Sequence, residues 1–202
     1  MNSMALYIRS RHVSVAAPVI VVGGTVMYAV AMLMVRSDSF GDQALIPTVV
    51  IGPIALAIAV ISTVDDPSDE ILRAAPFRLG RARLGHVLGL VVLAALVLLP
   101  LTTFPDMVVS APAGIRNLVG YTGLGLVASW FTAGRWAWVP PVVYGLGALT
   151  VEGAARSGHP FFWPTRPNDN LTAWLIGVAL FGLGLMACAV RRPIRFENEA
   201  SD

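Results

Sequence analysis

The sequence predicts an all-α integral membrane protein, a six-transmembrane-helix bundle with both termini cytoplasmic and a short coupling-type helix between spans 2 and 3. Three observations carry that expectation. Hydrophobic residues make up 56% of the 202-residue chain and charged residues 13%. Soluble domains have about 45–50% and about 25%, so this chain has too little charge to cover a water-facing surface. Six apolar runs approach the ~20 residues a helix needs to cross the hydrocarbon core. Arginine is distributed unequally between the connections on alternate sides of those runs.

The first run, Val13 to Val35, has no charged residue over 23 positions and would form a helix of roughly 34 Å. It follows Arg9-Ser-Arg11-His12, which resembles the n-region of a signal peptide. It exceeds the usual h-region of about 7–15 residues and lacks a clean small-x-small cleavage site, so it reads as a retained span. The second run, 43–64, is also uncharged and contains Pro47 and Pro53, which membrane helices tolerate when neighbours satisfy the freed carbonyls. The third, 84–104, has His86 near its start and Pro100 near its end. The fourth, 117–133, is short. The fifth, 136–155, carries Pro140, Pro141 and one acid, Glu152, and the sixth, 171–190, is uninterrupted. The whole chain, 1–202, reads as a single transmembrane domain with a disordered acidic tail at 196–202.

Orientation follows the positive-inside rule. Six spans place ten arginines with the termini (Arg9, Arg11, Arg73, Arg78, Arg81, Arg83, Arg135, Arg191, Arg192, Arg195) and four opposite (Arg36, Arg116, Arg156, Arg166). Both termini are therefore expected in the cytoplasm. Trp130, Trp136 and Trp138 flank an inner connection, and Phe161, Phe162, Trp163 and Trp174 an outer one, as interfacial aromatic belts would.

All 14 basic residues are arginine. Without lysine there is no P-loop lysine, no Schiff-base lysine and no lysine nucleophile. A net charge of +2 spread along the chain disfavours nucleic acid as a partner. The single cysteine, Cys188, cannot form an internal disulfide or a cysteine-based zinc site. His12 and His159 lie on opposite sides of the expected membrane, so the three histidines cannot build one metal site, and His86 reads as an interfacial, hydrogen-bonded residue. No metal and no cofactor are expected in this chain.

The inner connection 65–83 holds the most information. Asp66 suits an N-cap, Pro67 the first helical position and Asp69 a capping box. These residues predict a short amphipathic helix from Pro67 to about Ala75, stopped by Pro76. It could lie on lipid headgroups, held by Arg78, Arg81 and Arg83, or contact a cytoplasmic partner. Glu152 is the only acid inside an expected span, which makes it a functional candidate; Arg156, four residues on, offers the simpler role of a helical ion pair. Gly85-x-x-x-Gly89 and the glycines at 120–125, 145–147 and 182–184 supply small faces for helix packing.

Three segments carry a family resemblance: Asp65-Asp-Pro…Pro-Phe-Arg-Leu…Arg-Leu-Gly-His86, Gly134-Arg-Trp-Ala-Trp-Val-Pro-Pro141, and Phe162-Trp-Pro-Thr-Arg-Pro…Ala-Trp174. With the topology, they resemble small membrane subunits of ABC-2-type transporters, more narrowly actinobacterial permease-like proteins. One departure is the N-terminal segment, cut to roughly a dozen residues where larger ABC-2 permeases have an amphipathic helix. The resemblance implies a bacterial cell-membrane permease that dimerises with itself or a sister permease. It also implies a separate ABC ATPase that binds the ATP and docks on Asp69, Glu70, Arg73, Phe77 and Arg78. The cargo class it implies is a hydrophobic or amphipathic peptide, antibiotic or lipid, moved outward.

Two other readings compete. A non-transporting membrane binding or immunity protein needs only the bundle and an outer aromatic surface such as Phe161, Phe162 and Trp163. An intramembrane enzyme needs clustered nucleophiles and bases at one depth, and the chain offers only Glu152, so enzyme activity is not expected.

Overall fold

The computed structural model describes residues 13–37, 45–64, 76–104, 109–132, 135–152 and 160–190. They form six α-helices: α1 Val13–Arg36, α2 Ile46–Ile61, α3 Pro76–Leu98, α4 Ala111–Thr132, α5 Val139–Glu152 and α6 Leu171–Val190. Two 3₁₀ segments, Leu99–Thr103 and Pro160–Thr165, and short turns complete the described residues, which contain no strand.

Helix ends follow proline and cap chemistry. Pro76, expected to stop a helix over 67–75, begins α3. Its preset φ and missing N–H suit a first turn, where that N–H would have no intrahelical partner. The short helix expected at 67–75 falls outside the described residues, as does the tail at 196–202. At the other end of α3, Pro100 cannot donate to the carbonyl four residues back, and the chain tightens to 3₁₀ over Leu99–Thr103. Thr102 and Thr103 hydroxyls then donate to the carbonyls of Leu99 and Pro100, each at 2.8 Å. α6 is capped by Asn170, whose Oδ1 accepts from the Ala173 N–H at 2.9 Å, the usual third-position geometry.

Among the described residues, three stretches are long and apolar enough to cross a membrane: Val15–Arg36, Ala82–Thr103 and Leu171–Val190. α2 and α5 contribute shorter apolar helices. α4 is long enough but more polar, and it is the central helix. Its buried positions include Arg116, Asn117, Tyr121, Thr122 and Ser129 beside alanines and glycines. The long apolar helices, by contrast, turn valines and leucines outward, among them Val15, Val22 and Leu33 of α1, Val92 and Leu96 of α3, and Leu171, Leu175 and Met186 of α6. Polar residues inside and aliphatic residues outside is the arrangement that suits a hydrocarbon solvent.

Packing contacts place successive helices antiparallel. Thr48 at the start of α2 meets Met34 near the end of α1, and His86 near the start of α3 bonds Thr63, just past the end of α2, at 2.8 Å. α4 and α6 run parallel and share the most extensive helix–helix contact. Their close approach needs glycine. The Gly123 face lies directly on the Leu180–Phe181 backbone, and a Cβ at Gly184 would sit 2.7 Å from the Gly123 carbonyl oxygen. Gly125 faces Ile61 of α2 and Gly52 of α2 faces Met27 of α1, so small residues set the spacing of these helix pairs. Gly85 and Gly89 take no part: nothing lies within 4 Å of a Cβ placed there.

Candidate functional site

The residue pair that organises the bundle is Arg116–Asn117, in the second turn of α4. The sequence places Arg116 in an outer connection, ahead of a span beginning at Asn117. In the fold, α4 begins at Ala111, and both side chains are fully buried. The cause lies upstream, where Pro112 presets a helical φ in the first turn and the Ser110 carbonyl accepts the Gly114 N–H at 3.0 Å. That is the local signal that would have moved the start of α4 forward by six residues.

Facing the pair is the segment between α5 and α6, residues 160–170, which folds back as a strap onto the bundle end. Arg116 Nη1 donates to the Pro167 carbonyl at 2.9 Å. Its Nη2 donates to the carbonyls of Arg166 at 2.9 Å and Pro164 at 3.4 Å. Its Nε donates to Asn117 Oδ1 at 3.3 Å. The Asn117 amide nitrogen in turn donates to the Pro164 carbonyl at 2.7 Å and to the Val49 carbonyl of α2 at 2.8 Å. One guanidinium and one carboxamide thereby supply donors to the carbonyls of Pro164, Arg166 and Pro167 in the strap and to that of Val49, whose usual helical donor is missing at Pro53. Every one of these acceptors is a neutral oxygen, and Arg116 pairs with no carboxylate among the described residues.

Asn168 closes the strap from the other direction. Its Oδ1 accepts from the Ser110 N–H at 2.9 Å and the Ala113 N–H at 3.3 Å, and its Nδ2 donates to Ser110 Oγ at 3.1 Å. α4 is thus N-capped by a residue from a distant part of the chain. The Trp174 indole fastens the strap to α6 by donating to the Asn168 carbonyl at 3.0 Å.

Trp163 fills the space beneath. It was expected with Phe161 and Phe162 on an outer aromatic surface, but it is 2% exposed. Its ring lies on Gly120, which has no side chain to oppose it. It packs on Tyr121 with centroids 5.4 Å apart and stacks on Tyr144 of α5 at 6.1 Å. Phe162 is half-buried, and the Phe161 side chain lies outside the described residues. Burying Trp163 is favoured because α4 offers a glycine notch of indole size; no spacing within 160–165 reveals that notch.

The remaining sites expected from sequence are only partly placed. Asp69, Glu70, Arg73 and Arg156 lie outside the described residues. Phe77 and Arg78 belong to the first turn of α3, and Glu152 is the last residue of α5; their side chains are likewise outside the described residues. Cys188 is buried in α6. His86 Nε2 lies 2.8 Å from Thr63 Oγ1, while the Thr63 hydroxyl is 2.7 Å from the Val60 carbonyl. Thr63 therefore spends its proton on Val60 and accepts from the histidine.

Chemically, the Arg116 cluster is a clamp. Its donors are taken up by main-chain oxygens, and it joins α4, the strap, α6 and the first turn of α2 into one unit. No protein-family model, no curated protein and no solved structure matches the chain.

Proposed function

We propose that the chain is a six-span protein of the bacterial cell membrane with both termini cytoplasmic. We further propose that it serves as the permease subunit of an ABC-type exporter driven by a separate ATPase. The membrane placement is supported by the inside-out polarity of the bundle and by helices that alternate in direction. With the clamp end outside, Arg116 and Arg166 belong to the outer face, and Arg83 and Arg135 to the arginine-rich inner face.

The observation that carries the permease reading is the continuity of α3. The apolar stretch begins at Ala82, yet the helix begins at Pro76. The extra residues extend the rod by about 9 Å at 1.5 Å per residue, and they include Phe77 and Arg78. A partner bearing on Phe77 and Arg78 would act on the end of a lever that continues as a membrane span. Against it, α4, the strap and α6 supply a fixed body, which is the division of parts that alternating access requires. The family resemblance suggests a hydrophobic or amphipathic peptide, antibiotic or lipid as cargo. It also suggests a homodimer, or a heterodimer with a sister permease, as the working assembly.

Purification of the tagged chain from native membranes in mild detergent tests this reading. An ABC ATPase should co-purify, and charge reversal at Asp69, Glu70 and Arg73 should release it. An ATPase retained after those reversals would remove the docking assignment. If no ATPase accompanies the chain, the alternative gains: a non-transporting binding or immunity protein, which the rigid, closed clamp end would suit.

A further inference from the structure

The bundle end opposite the clamp presents a different surface. Trp130 and Phe131, at the end of α4, are 39% and 78% exposed, and Trp136 and Trp138, in the turn before α5, are 54% and 42% exposed. Ala137 between those two tryptophans is fully buried, so the turn is rooted in the bundle while its indoles stand outside. Their rings lie 6.3 Å apart. The guanidinium carbon of the exposed Arg135 sits 5.7 Å from the Trp136 ring centroid.

This cation differs from Arg116 in having its hydrogen-bonding capacity unspent. Its face rests on an indole, and among the described residues no carbonyl or carboxylate takes its N–H groups. An arginine held by its face and open along its edge is preorganised for an oxyanion, since the planar fork matches phosphate oxygens. Exposed tryptophans settle at the level of lipid headgroups, which brings Arg135 to the depth of the phosphates.

We propose that Arg135, Trp136 and Trp138 form a binding site for the headgroup phosphate of an anionic phospholipid. The inference rests on the membrane placement above and is independent of the exporter reading. In the orientation proposed there, the facing leaflet is the cytoplasmic one, where anionic lipid attracts juxtamembrane arginine.

Native mass spectrometry of the full chain in detergent, titrated separately with phosphatidylglycerol and phosphatidylcholine, tests the site. Phosphatidylglycerol adducts should be retained in preference to phosphatidylcholine. Arg135→Gln should weaken phosphatidylglycerol retention roughly tenfold, the scale of a lost charge-assisted contact, and leave phosphatidylcholine unchanged. Trp136→Ala should weaken it as well, by releasing the guanidinium. Both positions are exposed, and circular dichroism checks that the helices persist. Phosphatidylglycerol held equally by wild type and both variants would overturn the proposal, as would equal retention of the two lipids by the wild type. Displacement of the lipid by millimolar inorganic phosphate would also overturn it, by showing a site for the free anion.

Discussion

Arg116 Nη1 donates to the Pro167 carbonyl oxygen at 2.9 Å, across 51 residues of chain. The bond ties the second turn of α4 to the strap that leads into α6, and the other N–H groups of the same guanidinium hold Pro164 and Arg166. A buried cation stabilised only by neutral oxygens is costly to place and costly to remove. Removal takes a charged donor away from three carbonyls, those of Pro164, Arg166 and Pro167.

Arg116→Ala should therefore destabilise the protein by about 3–5 kcal/mol, at the upper end of single substitutions. Arg116→Lys should recover only part of that loss, because an ammonium lacks the planar fork. Thermal unfolding in detergent, followed by size-exclusion fluorescence, measures both. An Arg116→Ala protein as stable as wild type would remove the clamp.

Asn168→Ala removes the remote cap of α4 and should cost about 1–2 kcal/mol, in line with other N-cap losses. Asn168→Asp keeps the acceptor and adds a charge favoured by the helix dipole, so it should stay close to wild type. Hydrogen exchange at the Ser110 and Ala113 amides reads the cap directly, with faster exchange expected only in the alanine variant.

Glycine substitutions should divide by location. Alanine for glycine in a helix gains about 1 kcal/mol of propensity. At Gly123 the added methyl would meet the Leu180–Phe181 backbone, which has no flexible side chain to yield, so Gly123→Ala should abolish accumulation of folded protein. Gly85→Ala and Gly89→Ala meet open space and should be neutral or stabilising. Expression and melting temperature of the three variants decide the matter.

Trp163 and Trp136 should respond oppositely to an aqueous quencher. Trp163→Phe should remove emission that iodide cannot reach, whereas Trp136→Phe should remove emission that iodide quenches. Comparing Stern–Volmer plots of the two variants with wild type checks this. The same Trp163→Phe change opens a void against Gly120 and should lower stability, since core truncations cost on the order of 1 kcal/mol or more.

How much of this was legible depends on the residue. α1 and α6 occupy the same residues, within one position, as the apolar runs 13–35 and 171–190, because charge or a cap bounds each run on the strand of sequence itself. α4 was misjudged because Arg116 and Asn117 resemble the polar border of a span. Their polarity is tolerated only because α2, α6 and the strap surround them with partners. Pro76 carries a local ambiguity, since the same ring geometry that can end one helix begins α3.

Composition and hydrophobic patterning by themselves determined that this chain is helical and built for an apolar surrounding, because those properties sum over many residues and survive errors at any one. Tertiary structure alone decided what the buried polar residues do. The acceptors for Arg116 are carbonyls 48 to 51 residues away, and a main-chain oxygen looks the same at every position of a sequence. Only the folded path of the strap brings those oxygens to the guanidinium, and only a glycine at position 120 leaves room for Trp163 beneath it.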